Sequence, residues 1–202
     1  TGPFLSEFRL ENGLPVWRYE AYGYAIEKRV VLVYGQNTVH LTYALREGDG
    51  TARLQVRPAV CFRPHEGSVA GPRAPYTLRA VDDRYELSSD LAYPLRMRAS
   101  GARTSFTHDP ATLTLEYAVE RDRGYDSQGT LASPGFFRAD LAKGQDLTVV
   151  ASTEEWDVLL ALSPEDALRA ERSRRAQLLS LAPSRLRQGL GGELVLAADQ
   201  FV

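Results

Sequence analysis

Cysteine occurs once, as Cys61, and lysine twice, as Lys28 and Lys143, in a chain of 202 residues. A single cysteine excludes an internal disulfide framework and fits a reducing compartment, for which the cytoplasm is the expectation. Histidine is also scarce. His40, His65 and His108 are dispersed, with no spacing of four between them and no adjacent cysteine. A zinc site requires three or four convergent ligands, so neither a metal nor another cofactor is expected. No stretch approaches the roughly 18 apolar residues of a membrane span. No Gly-x-Ser-x-Gly elbow occurs, and Gly189, Gly191 and Gly192 follow a helical pattern where a phosphate loop would follow a strand. Excess charge is missing too. The 24 basic residues stand against 26 acidic ones, a net charge of -2, which gives no field to draw in nucleic acid or an anionic membrane.

What remains is a globular composition, 44% hydrophobic and 25% charged, with 16 Gly and 11 Pro. The dominant period is two. Val39, Leu41, Tyr43 and Leu45 share one face of residues 38–45, while Thr38, His40 and Thr42 share the other. Leu113, Leu115, Tyr117 and Val119 repeat the pattern, and Leu54, Val56 and Val60 begin another strand that Pro58 marks as an edge or a bulge. Further strands are expected over residues 4–10, 16–21, 24–33, 76–81, 84–87, 95–98, 103–106 and 147–152. Gly48 to Gly50 reads as a hairpin loop, and residues 63–75 and 125–137, rich in Gly and Pro, read as surface loops. The fold class is therefore all-β, an antiparallel β-sandwich.

At Ser163 the pattern changes. A hydroxyl at the N-cap, Pro164 behind it and Glu165 and Asp166 in the first turn open a helix running to about Leu181. Its apolar residues lie at the two ends and its middle is charged, so the expectation is a C-terminal connector helix docked at both ends and wetted between. Arg169, Arg172, Arg174 and Arg175 point all around the cylinder at about 100° per residue, which reads as a solvated helix and no nucleic-acid footprint. On this reading the sandwich folds without residues 164–202.

Two groups of side chains could carry chemistry. Glycoside hydrolysis needs two carboxylates about 5 to 9.5 Å apart. Glu154, Glu155 and Asp157, or Asp82 and Asp83, could be nominated, but neighbouring carboxylates at a strand end are ordinarily solvated, and no catalytic residue is assigned. The aromatics are the other group. Trp17 and Tyr19 share a strand face, and Tyr22, Tyr24 and Trp156 are the further candidates for a sugar-stacking platform, with filling of the core or its rim as the competing reading.

The run GLPVWRYE at residues 13–20, IEKRVVLVYGQNTVHLTY at 26–43 and VRPAVCFRPHEG at 56–67 resembles the N-terminal domain of bacterial and archaeal glycogen debranching enzymes of the amylo-α-1,6-glucosidase type. The closing LVLAADQF at 194–201 resembles the join to that family's catalytic domain. The resemblance implies a supersandwich-like β-sandwich over residues 1–162, a helical linker over 163–189 and the start of a catalytic (α/α)6 barrel over 190–202. It implies that residues 1–13 match the middle of the family's domain, and that the general acid and base lie in the barrel, beyond Val202. The implied partners are the chain's own catalytic barrel and glycogen or a maltooligosaccharide. Three functions stay open: an inactive accessory domain of a debranching enzyme, an autonomous carbohydrate-binding module, and a structural or oligomerisation domain.

Overall fold

Two-residue turns set the pattern of the first strands. Asn12 and Gly13 both hold positive φ, 52° and 72°, as the mirror-type hairpin turn demands, and Tyr22 and Gly23 repeat this at 53° and 80°. They fold β1 (Leu5–Glu11), β2 (Leu14–Ala21) and β3 (Tyr24–Leu32) into a meander that β4 (Thr38–Glu47) continues. After β5 (Ala52–Val56) come β6 (Thr77–Val81), β7 (Arg84–Ser89), β8 (Ala92–Gly101), β9 (Thr104–Glu116), the short helix α1 (Ala118–Asp122), β10 (Gln128–Leu141) and β11 (Leu147–Ser152). The computed structural model describes residues 2–64, 67–70 and 74–201.

The strands make two antiparallel sheets, one of eight in the order β1-β2-β3-β4-β11-β8-β7-β6 and one of three in the order β5-β10-β9. The larger sheet's inner face meets the smaller sheet. Leu45, Leu87, Met97, Leu147 and Val149 interlock with Ala52, Phe137, Ala139 and Leu141. Tyr85 from one sheet lies 4.5 Å from Phe106, tilted against it, and 5.3 Å from Phe137 of the other, edge to face, ring centre to ring centre, and so closes the core. The expected all-β antiparallel fold is present, with helices at its C-terminal end.

Several expectations are corrected. Gly48 to Gly50 is no hairpin loop, because β4 pairs with β3 and β11 while β5 pairs with β10, so the segment crosses between sheets. The Tyr24 ring fills the space beside Gly48, where an added Cβ would lie 2.4 Å from it. Residues 128–137 are no surface loop. They begin β10, the centre of the smaller sheet, in which Pro134 is fully buried at a register shift between Ser133 and Gly135. A bulge accepts a proline because the ladder hydrogen bond is already missing there. Residues 104–116 form one strand that ends before Tyr117, and Val119 lies exposed in α1. In the stretch 63–75, residues 65, 66 and 71–73, including His65, lie outside the described residues.

Helix α2 (Trp156–Leu160) leads to α3 (Pro164–Leu181) and α4 (Gly189–Ala198). Ser163 caps α3, its Oγ accepting the Asp166 backbone N–H at 3.1 Å. The middle of α3 is wetted on one side, at Ala170, Ser173 and Gln177, and covered on the other. Glu171 is 4% exposed and accepts from Arg174 and Arg175, while Arg174 also reaches Asp199 beyond α4, at 2.5 Å. Arg172 pairs with Glu11, and Arg175 approaches the Asn12 carbonyl, so these arginines pin the helix to the β1–β2 turn. Leu196 of α4 closes on the same turn, beside Gly13. The helices thus lie on the outer face of the larger sheet, where Pro164, Glu165 and Leu168 of α3 stand near His40 and Thr38 bonds Ser152 at 2.7 Å, both buried although their strand pattern points them away from the core.

Candidate functional site

The inner face of the larger sheet is wider than the smaller sheet that covers it. One row crosses four strands, Phe8, Trp17, Lys28 and Tyr43, and continues to Leu147. Leu147 is 0% exposed and Phe8 is 54% exposed, so cover is lost towards the β1 edge. Trp17, half-buried, has the Phe8 ring centre at 5.4 Å and the Lys28 ammonium over its own ring at 4.8 Å. Tyr19 follows on the same face, opposite Leu5 and close enough to Tyr43 to add to the rise that burial gives the Tyr43 phenol. At the end of the ribbon, Tyr22 is 89% exposed, with the Phe4 ring centre at 5.8 Å.

The structure thus brings Trp17 and Tyr19 onto one β1–β2 ribbon with Phe8, and sets Tyr22, in the β2–β3 turn, beside Phe4 at its end; Phe4 and Phe8 are residues that sequence reasoning passed over. The signal for Phe8 was present, since alternation in β1 puts it opposite Trp17 once the Asn12-Gly13 turn fixes the register. Tyr24 and Trp156 lie elsewhere. Tyr24 packs against the core, its hydroxyl donating to the Asp49 and Thr51 carbonyls, each at 3.4 Å. Trp156 opens α2 beside Arg84, whose guanidinium lies 5.5 Å from its ring centre. Arg84 pairs in register with Arg98 and so shares the outer face with Val150 and His40, opposite the Trp17 ribbon.

Four of the five nominated carboxylates have local partners, and Asp82 stands in the β6–β7 turn at φ 54°. Asp83 accepts from Arg98, Glu155 from Arg96, Glu154 from the Asn37 N–H, and Asp157 from the Val158 N–H. His40 and His108 stand on different sheets. No described helix is long and apolar enough to cross a membrane.

The outer face is a ladder of ion pairs. Glu11 binds Arg9, Arg29 and Arg172, and Glu27 binds Arg9 and Arg46. Burial alone would raise both carboxyls, but the facing guanidiniums hold them below the ordinary carboxylate range.

A two-sheet antiparallel β domain with an aromatic ribbon at one edge and helices folded back over its outer face is the class these observations define. Within it, a family model described as glycogen debranching enzyme N terminal matches residues 3–148, and the chain belongs to that family. The match spans β1 to the start of β11 and leaves α2, α3 and α4 outside. No curated protein matches the chain.

Proposed function

We propose that this chain is the non-catalytic N-terminal domain of a cytoplasmic enzyme that hydrolyses α-1,6-glucosidic branch points of glycogen. In this reading it supports a catalytic (α/α)6 barrel and touches the glucan through the Trp17 ribbon. The family match over residues 3–148 carries the proposal. Two features support it. Leu181, Leu190, Leu194 and Phe201 are exposed apolar residues on α3, α4 and the turn beyond, a surface suited to a neighbouring body. The ribbon offers flat rings, with Lys28 able to donate to a sugar hydroxyl once a pyranose displaces its ammonium from Trp17. The neutral glucan explains why no strong charge of either sign is needed. The half-exposed ribbon also motivates the second reading, an autonomous carbohydrate-binding module.

Titration with glycogen and maltoheptaose, followed by tryptophan fluorescence, tests the glucan contact. The expected result is a saturable change that Trp17→Ala removes and Trp156→Phe retains. An unchanged signal at millimolar sugar contradicts the contact and leaves a purely structural domain.

A further inference from the structure

On the outer face, the N-terminus of α3 overhangs a cleft of about 900 Å³. Its floor is a polar row across four strands, Arg29, Thr42, Thr148 and Ser100. His40 lies beside that row and Glu165 and Arg103 stand at its walls. Among the described residues, three buried side-chain polar atoms lack a hydrogen-bond partner, and two of them, Arg29 Nε and His40 Nδ1, belong to residues lining this cleft. His40 is only 3% exposed. Folded proteins rarely leave such groups unpaired, so a pair of them in one cleft marks a place where something else completes the bonding.

The charges decide what that is. Arg29 and Arg46 share Glu11 and Glu27 with Arg9 and Arg172, and Arg9 also reaches Glu7, so this ladder sets four guanidiniums against three carboxylates. To these the cleft adds the exposed Arg103 guanidinium, which has no ion pair among the described residues, and the Glu165 and Asp146 carboxylates, which brings the two signs level. No positive surplus remains to hold an anion. Instead the cleft presents fixed donors at Arg29 and Arg103, fixed acceptors at Glu165 and Asp146, and hydroxyls at Thr42 and Thr148 that can do either. Burial lowers the His40 pKa against the opposing pull of Glu165, which favours a neutral ring that both donates and accepts.

We propose that this cleft is a second binding site, for a neutral polyhydroxylated ligand, whose hydroxyls complete the bonds of Arg29 and His40 and bridge Arg103 to Glu165. That the ligand is a unit of an α-glucan rests on the function proposed above.

Imidazole carbon–proton NMR signals of the 202-residue chain test this directly, since it has only three histidines. Maltotriose is expected to shift the His40 signal saturably. Arg103→Ala, an exposed change that leaves the core untouched, is expected to weaken that response at least about tenfold, the loss of one charged hydrogen bond. Trp17→Ala is expected to leave it unchanged. If cellotriose moves His40 and maltotriose does not, the polyhydroxyl site stands and the glucan reading falls. If maltotriose perturbs the Trp17 indole while His40 stays silent with every sugar, the cleft proposal falls and the glucan reading stands. A His40 shift with inorganic phosphate in place of sugar, or a response unaffected by Arg103→Ala, also overturns the proposal.

Discussion

Backbone geometry at single residues accounts for features that composition obscures. Gly135 holds φ 150° where β10 shifts register, and a Cβ there would lie 2.1 Å from the Thr107 carbonyl oxygen. Ser133 Oγ fills the bulge beside it, donating to the Gly135 carbonyl at 3.0 Å. Gly135→Ala should therefore cost about 3 kcal/mol or more, since the clash is with backbone and not with a flexible side chain. Gly124, at φ 77° with open space around it, is the control, and Gly124→Ala should cost about 1 kcal/mol. Thermal melting of the two variants checks this, the first expected to melt several times further below the parent than the second. Pro134 and Gly135 are also where sequence reasoning misread a buried strand as a loop. Residues that break a ladder look the same in a turn and in a bulge until the partner strand is known.

Helix α3 shows how far an element can be read and where the reading stops. Ser163, Pro164, Glu165 and Asp166 made its start legible, because capping chemistry is local. Its seating was not legible, since a charged face reads as wet unless its partners, the Glu11 and Asp199 carboxylates and the Asn12 carbonyl, are placed. Glu171→Ala should cost about 2–3 kcal/mol, the scale of a lost buried hydrogen bond to charged groups, and should loosen α3 from the sheet in hydrogen exchange. Acid should act in the same direction. Burial keeps the folded His40 pKa below its ordinary 6.5, so the unfolded chain takes up a proton the folded one refuses, and stability falls as pH drops below about 6.5. At Glu171 burial pulls upward, yet Arg174 and Arg175 win and hold it below its ordinary 4.5, so its contribution is full above that value and lost as pH falls further. Melting temperature against pH should decline in these two stages, and because Glu11 and Glu27 titrate in the second as well, Glu171→Gln should make that stage shallower without removing it.

At the scale of the whole molecule, the fold class was legible because a period of two survives in nearly every strand, whichever partner the strand takes. Sheet membership was not, since β5 and β10 pair across long stretches of chain that no local signal connects. The aromatic ribbon was half legible. Trp17 and Tyr19 follow from one strand, but Phe4 and Phe8 join them only through the hairpin, and Trp156 departs to the other face. The helices change one expectation about autonomy. Leu14, Val16 and Val31 are buried on the face that α3 and α4 cover, so removing residues 164–201 should expose them and lower the melting temperature markedly, against the expectation of an independent sandwich. In the function proposed above, this domain serves a debranching enzyme without carrying its chemistry. Incubating the 202-residue chain with a branched limit dextrin and measuring free glucose tests it most directly: no release above the buffer blank is predicted, and steady glucose release proportional to the amount of chain would contradict it.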